Sequence, residues 1–156
     1  MTEKVTGRAG EILRFGLGAR NWMLNQVDRA SECVSWTPPE GGRSPSEIVE
    51  HVTSVLLIAC SMVAEELGID LNIKEVESKG EPTEVLKDTV RSAYDAFKDL
   101  CGKLDDQMLD KVMALPPPFA LREGPVETVL RVISGYHTVH HAGQLSTHVR
   151  RARNTQ

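Results

Sequence analysis

Three of the five histidines of the chain lie within the stretch YHTVHHAGQL, which runs from Tyr136 to Leu145. His137 and His141 are four residues apart, and this spacing places two side chains on one face of an α-helix. Two imidazoles in this arrangement can bind one ion, and a third from a facing helix gives a three-histidine site with open coordination positions. Imidazole suits zinc, nickel, copper and iron, so the ligand type alone does not select the metal.

A further histidine, His51, lies on a second predicted helix. It follows Ile48 by three residues and precedes Val55 by four, which places it on or beside the buried stripe of that helix. Convergence of His51 with the other histidines requires a particular axial stagger of the two helices. From the residues alone two interpretations stay open: a shared metal ion, or a set of core histidines held by hydrogen bonds.

Hydrophobic periodicity predicts the four helices that would position these histidines, and no convincing alternating strand. The helices cover about residues 3–30, 45–67, 82–104 and 124–151. The second helix has the clearest start, because Ser44 can cap it, Pro45 suits its first position and Glu47 completes a capping box. Gly68 is the expected stop.

The lengths and patterns of these helices predict an all-α four-helix bundle that forms a single domain over residues 1–156. The third helix has the cleanest amphipathic pattern, with apolar residues at alternating steps of four and three. Gly16 and Gly18 weaken the first helix and predict a bend or a close packing contact there. Three prolines in LPPPF forbid helix before the fourth.

The composition is that of a soluble cytoplasmic protein, with 40% hydrophobic and 26% charged residues. The net charge of −4 argues against a broad surface for nucleic acid or for anionic membranes. The most apolar run, Val52–Ala64, is too short to span a bilayer, and the N-terminus lacks the apolar region of a signal peptide. The three cysteines form no CxxC pair, which fits a reducing compartment.

Several other polar residues have structural interpretations. Cys60 and Cys101 lie on or beside apolar stripes and are expected in the core, whereas Cys33, near a loop, is the most exposed thiol. No activating partner for Cys33 is evident, so cysteine catalysis is not favoured. Tyr136 is expected to pack or to lie on the surface, and His148 is expected at the surface near the end of the fourth helix.

Two stretches resemble the markers of the DinB-like (DinB/YfiT) family. HTVHHAGQL resembles its closing motif, H-x-x-x-H-x-G-Q. WTPPEGGRSPSEIVEHV, residues 36–52, is similar to the other marker, in which a Trp-Pro turn leads to a Ser-capped helix that bears the first ligand. The histidines of the two motifs are 86 residues apart (137 minus 51) and in the expected order, so the resemblance covers nearly the whole chain.

The resemblance implies that the metal ligands are His51, His137 and His141. It places His140 at the position of an additional histidine that is not usually a ligand. Where the family usually has Arg before Gly-Gln, this chain has Ala142, so any role of that arginine is in doubt here.

Residues that hydrogen-bond to the imidazoles and so orient them are also expected. Gln144 and Ser134 are the candidates, with Glu47 as a third that already has a role in the capping box. Gly143 is expected to permit close packing of helices.

The resemblance also implies an up-down-down-up bundle, in which the 68–82 connection crosses over between parallel second and third helices, and a homodimer. Characterised relatives include metal-dependent transferases that use low-molecular-weight thiols such as bacillithiol or mycothiol, and an isomerase with mycothiol as its cofactor. The expected function is therefore S-transfer of such a thiol, or hydrolysis, at zinc, nickel or iron. The alternatives are a dimeric bundle that binds a metal or small ligand without catalysis, and a metal-free bundle whose histidines only pack.

Overall fold

The computed structural model describes residues 4–74 and 80–155, most of which lie in helices. In chain order the elements are α1 (Gly7–Arg29), α2 (Pro45–Leu67), α3 (Pro82–Cys101), α4 (Asp106–Asp110), β1 (Val112–Ala114), β2 (Glu123–Pro125), α5 (Val126–Arg131) and α6 (His137–Asn154). A π-helical turn, Val132–Tyr136, joins α5 to α6, so these two helices form one long rod. The prediction of a mostly helical fold is confirmed.

The bounds predicted for α2 are confirmed, because its ends are set by local chemistry. The hydroxyl of Ser44 accepts a hydrogen bond from the backbone N–H of Glu47 at 3.2 Å and lies 3.2 Å from the Glu47 carboxylate. Pro45 occupies the first helical position, where its missing N–H costs nothing. Gly68 ends the helix in the left-handed conformation, with φ of 66°. These two ends determine where His51 falls along the bundle.

The long helices pack around one apolar core, in which α1 and α2 each contact both α3 and α6. Contacts between α1 and the α5–α6 rod show that the two run in the same direction, because early residues of one lie near early residues of the other and late residues lie near late ones. Glu11 is 3.7 Å from Arg131, and further along Arg153 donates to the carbonyl of Arg29 at 3.2 Å. The large, fully buried side chains include Ile12, Met23, Ile48, Leu56, Phe97, Leu100 and Leu145. Burial of each stabilises the fold by about 1.5–3 kcal/mol.

Two polar contacts connect the ends of α3 to the ends of α2 and α1. Lys103, just beyond the end of α3, donates to the carbonyl of Asp70, just beyond the end of α2, at 2.8 Å. Lys87, near the start of α3, pairs with Asp28, near the end of α1, at 2.9 Å. The predicted 68–82 crossover lies partly outside the described residues.

Among the described residues, α2 alone is long and apolar enough to cross a membrane by composition. Half of its most apolar window is buried inside the protein, against α3 and α6. Ile48, Val52, Ala59 and Val63 are among its buried residues. Its buried face therefore belongs to the core of the bundle.

Sequence patterns missed some short elements and helix ends. β1 and β2 pair antiparallel, with Met113 opposite Gly124, although no strand was predicted. Three-residue strands are too short to show alternation, and the five-residue α4 is likewise too short for helical periodicity. The third helix ends at Cys101, three residues before the predicted end. The first helix begins at Gly7, four residues after the predicted start. The fourth begins at Val126 instead of residue 124, because Glu123–Pro125 forms β2, and it extends to Asn154 with an unpredicted π turn.

Gly16 allows α1 to approach α3 and the π turn closely, as predicted. A Cβ atom at this position would lie 2.5 Å from Cε1 of Phe97 and 3.1 Å from Oγ of Ser134. Phe97 is fully buried, and protein interiors are close-packed, so its ring cannot move aside without cost. Gly18, half a turn further on, faces open space, where a Cβ would meet no atom within 4 Å.

We predict that Gly16→Ala lowers the free energy of unfolding by about 1–3 kcal/mol, because the added methyl overpacks the contact with Phe97. Gly18→Ala is the matched control and should raise it, by up to about 1 kcal/mol, through its higher helix propensity. Urea denaturation of the two variants measures both values. Equal shifts in the same direction would show that the packing at Gly16 is not as close as described.

Candidate metal centre

Helices α2 and α6 bring His51, His137 and His141 to one point. The Nε2 atoms of His51 and His137 are 3.2 Å apart. The centroids of the three rings are separated by 4.5 to 5.1 Å. One ring nitrogen from each residue lies within 4.8 Å of the other two, so the three residues could hold one metal ion. The sequence did not determine the axial stagger of α2 relative to α6. In the structure this stagger brings the three histidines together.

The separation of these nitrogens fits a shared ion. Two imidazole nitrogens that each bind zinc at about 2.0–2.1 Å lie about 3–3.5 Å from each other in common coordination geometries. The 3.2 Å between the Nε2 atoms of His51 and His137 falls in this range. The ligand nitrogen of His141 lies within 4.8 Å of the nitrogens of the other two histidines. A donor set of three imidazoles suits zinc, nickel, copper or iron.

The hydrogen bonding of the cluster also fits a cation. The Nε2 atoms of His51 and His137 face each other, so their lone pairs repel unless one nitrogen is protonated or a cation is shared. Nδ1 of His137 is buried and has no hydrogen-bond partner in the part of the chain that the structure describes. A buried polar atom without a partner costs free energy. An ion at Nε2 would place the hydrogen on Nδ1, so this cost is present with the ion bound as well.

Burial lowers the pKa values of all three imidazoles. It lowers the pKa of His137 to about 4, with smaller contributions from neighbouring histidines. Burial is also the largest cause of the lowered pKa values of His51 and His141, and the charge of Arg43 is the second cause for His51. For His141 the hydrogen bond to Gln144 opposes this shift. The three rings are therefore neutral at neutral pH, which is the form that binds metal.

Gln144 orients the ring of His141. Its side-chain oxygen lies 2.8 Å from Nδ1 of His141, and an amide oxygen can only accept, so Nδ1 carries the hydrogen. The lone pair of His141 is therefore on Nε2. Hydrogen bonds of this kind commonly orient histidines that bind metals. Gln144 thus has the contact expected of it from the sequence.

The other expected neighbours have different contacts. The hydroxyl of Ser134 donates to the carbonyl of Leu130 at 2.6 Å, and Glu47 interacts with the helix cap. The packing role expected of Gly143 is wrong, since this residue is exposed and a Cβ there would meet no atom within 4 Å. Ala142 is fully buried.

The π turn before His137 sets the direction in which the α6 histidines project. A π turn places one additional residue in a helical turn, which rotates all following side chains around the axis. Tyr94 of α3 stabilises this turn, because its buried hydroxyl donates to the carbonyl of Ser134 at 2.6 Å and lies 2.8 Å from the hydroxyl of Thr138. Neither feature follows from the sequence pattern, since the periodicity of an apolar stripe does not reveal a hydrogen bond across 40 residues.

His148 is buried, with 7% of its surface exposed, so the predicted surface position is wrong. Its ring packs edge-to-face against Trp36 at a centroid distance of 5.7 Å. Arg151 lies over the Trp36 ring at 5.6 Å and donates two hydrogen bonds to the carboxylate of Glu40, at 2.6 and 2.9 Å. The turn before α2 therefore covers the end of α6, a long-range contact that the sequence does not show.

The three cysteines are all buried. Cys60 and Cys101 are fully buried, as predicted, and burial raises the pKa of both thiols, that of Cys101 to about 12. Cys33 is the most exposed of the three thiols, as predicted, but only 8% of its surface is exposed. Burial is also the main cause of its raised pKa. All three thiols are therefore protonated at neutral pH and are poor nucleophiles.

A pocket of about 430 Å³ opens beside the histidine cluster. His51, His137 and Arg43 provide its polar lining. The apolar lining comes from α2, from the loop between β1 and β2 and from the π turn, and includes Val55, Ile58, Phe119, Leu121, Val132 and Ile133. Both the volume and the predominance of apolar side chains are typical of sites for small molecules.

The fold and the site define a helical bundle with a three-histidine cluster that could hold a metal ion. Among solved structures, the chain is similar to a DinB-like protein, YjoA, from Bacillus subtilis, with a TM-score of 0.65 and 19% sequence identity. The match covers 91% of this chain and 92% of that chain. The chain therefore has the DinB-like fold, which confirms the resemblance at the level of the fold. No family model and no curated protein matches the sequence.

We predict that Tyr94→Phe lowers the free energy of unfolding by about 1–3 kcal/mol, because the buried groups of Ser134 and Thr138 lose their partner. Tyr136→Phe is the control, since Tyr136 is 65% exposed, and should change the value by less than about 0.5 kcal/mol. Urea denaturation gives both values. Similar effects of the two substitutions would contradict the role of Tyr94 at the π turn.

Proposed function

We propose that the protein is a metal-dependent enzyme whose ion is bound by His51, His137 and His141. The observation that carries this proposal is that three neutral imidazoles converge next to a pocket of small-molecule size, which two of them line. The ion is zinc, nickel or iron. The reaction is S-transfer of a low-molecular-weight thiol or, as the other route, hydrolysis.

An ion bound at this cluster would supply Lewis acidity, which lowers the pKa of a thiol or of a water molecule in the pocket. The protein residues prepare that chemistry. Gln144 holds the His141 ring by its hydrogen bond, and Tyr94 stabilises the turn that orients the α6 histidines. Apolar side chains such as Phe119 limit the entry of water, which strengthens electrostatic interactions within the pocket. We place thiol transfer first because hydrolysis requires water at this apolar site.

The second candidate is a bundle that binds a metal or a small ligand without catalysis. The pocket supports it equally well, since a cavity of about 430 Å³ can hold a ligand whether or not the ligand reacts. The up-down-down-up topology is part of both proposals. It is supported by the ordered contacts of α1 with the α5–α6 rod and by the neighbouring ends of α2 and α3. A single domain over residues 1–156 and a cytoplasmic location stay predictions.

We predict that protein purified without a histidine tag binds one equivalent of zinc, and that His51→Ala, His137→Ala and His141→Ala each abolish this binding, because two imidazoles hold the ion too weakly. Isothermal titration calorimetry and elemental analysis measure the stoichiometry. His140→Ala is the matched control: this exposed histidine adjoins a ligand but lies outside the cluster. Unchanged binding in the three ligand variants, or equal loss in His140→Ala, would contradict the assignment.

Measurements of turnover separate the proposed enzyme from the bundle that binds a metal or ligand without catalysis. Metal-loaded protein is incubated with chlorodinitrobenzene and a series of thiols that includes bacillithiol and mycothiol, and separately with p-nitrophenyl acetate without thiol. S-transfer predicts thiol consumption that His141→Ala abolishes and His140→Ala retains. Ester hydrolysis alone would favour the hydrolase. Stoichiometric metal binding without turnover in either assay would favour the non-catalytic bundle.

A homodimer is also proposed. Phe15, Trp22 and Tyr136 are large, exposed side chains that share one groove between α1 and α6, and the rings of Phe15 and Tyr136 pack edge-to-face at 5.5 Å. Exposed aromatic residues grouped in this way are typical of surfaces that bind another protein chain. A second copy of this chain is the partner implied by the resemblance.

We predict that Trp22→Asp converts the dimer to a monomer, because a carboxylate buried in an apolar interface is costly. Ile73→Asp is the control: it introduces the same charge at an exposed apolar residue outside this groove and should leave the dimer intact. Size-exclusion chromatography with light scattering measures the mass of each variant. A monomeric wild type at micromolar concentration would contradict the proposal.

A further inference from the structure

The pocket beside the histidine cluster combines one cationic side chain with apolar walls. Arg43 lines the pocket and directly precedes Ser44, the residue that caps α2. The cap fixes the backbone at this point, so the Arg43 side chain extends from an ordered segment directly before α2. Its positive charge contributes to the lowered pKa values of all three histidines of the cluster, which indicates that the guanidinium lies near them.

The charge of Arg43 is available to a ligand. Within residues 4–74 and 80–155, no carboxylate forms an ion pair with this side chain. Arg8 and Arg151, by contrast, pair with carboxylates: Arg8 with Asp110 at 2.6 Å, and Arg151 with Glu40 at 2.6 Å. A guanidinium has planar, paired N–H donors that match the two oxygens of a carboxylate or sulfonate.

The apolar walls come from three separate parts of the chain. Val55 and Ile58 project from α2, Phe119 and Leu121 from the β1–β2 loop, and Val132 from the π turn. Ile58 is 52% exposed although it lies on the core helix of the bundle. An apolar side chain that is exposed inside a pocket gains free energy when a ligand covers it. The walls therefore favour an apolar molecule, and Arg43 favours a negative charge on it.

We propose that the pocket takes an amphipathic anion, in which an apolar body contacts Ile58 and Phe119 and a carboxylate or sulfonate pairs with Arg43. This inference rests on the proposed function, since it names the class of substrate for that same site. It places the anionic group of the ligand at the rim of the pocket and the apolar body along α2 and the β1–β2 loop, beside the imidazoles of His51 and His137.

Two fluorescent probes of nearly equal shape test the proposal. Anilinonaphthalene sulfonate is an apolar anion, and N-phenylnaphthylamine is the same body without the charge. Both should bind the wild type, and Arg43→Gln should weaken binding of the sulfonate about tenfold, the effect expected for one charge-assisted pair. Binding of the neutral probe should stay within about twofold. Phe119→Ala should weaken binding of both probes, because it removes a wall that they share.

Arg14→Gln is the matched control, since Arg14 lines the separate groove that contains Phe15 and Trp22. It should leave the binding of both probes unchanged. Equal losses in Arg14→Gln and Arg43→Gln would overturn the proposal, as would failure of the wild type to bind the sulfonate. An equal effect of Arg43→Gln on the two probes would also overturn it.

The same measurements on wild-type and Arg43→Gln protein treated with a chelator separate this proposal from the metal assignment, because Arg43 and the apolar walls remain when no ion is bound. In the chelated protein both probes should still bind, and Arg43→Gln should still weaken only the binding of the sulfonate. If the wild type binds no metal but Arg43 still selects the sulfonate, the enzyme proposal fails and the ligand class stands. If metal binds and Arg43 has no effect, the ligand class fails alone.

Discussion

Three imidazoles share one small volume inside an otherwise aliphatic bundle, and this arrangement constrains everything around it. Nitrogen atoms removed from water require partners, and the facing Nε2 atoms of His51 and His137 cannot both act as acceptors without a proton or a cation between them. Burial keeps the rings neutral, which preserves the lone pairs that a metal needs. The surrounding structure therefore has to hold three lone pairs close together beside a largely apolar pocket.

Interactions outside the cluster determine its geometry. The Ser44 cap fixes the axial position of α2, and with it that of His51. The π turn and its hydrogen bond from Tyr94 fix the rotation of α6, while Gln144 fixes one ring. Each interaction contributes only about 1 kcal/mol to stability. Together they restrict the side chains in a way that packing of aliphatic residues alone would not.

The features of the fold and the site that depend on residues adjacent in the sequence could be predicted from it. The bounds of α2 followed from SPSE and Gly68, and the shared face of His137 and His141 followed from helical spacing. The features that were missed depend on distant contacts. His148 is buried by tertiary packing, and the π turn is held by a tyrosine 40 residues away. Short elements such as β1 have too few residues for a periodic pattern.

The central claim is that one ion is bound by three imidazoles, and X-ray absorption at the zinc edge tests it most directly. Protein loaded with one equivalent of zinc should show three imidazole nitrogens at about 2.0–2.1 Å, with the remaining coordination by light atoms. The multiple-scattering pattern of imidazole makes the count specific to histidine. A spectrum with oxygen neighbours and one imidazole, or none, would contradict the account, because the cluster would then be only a packed group of neutral rings.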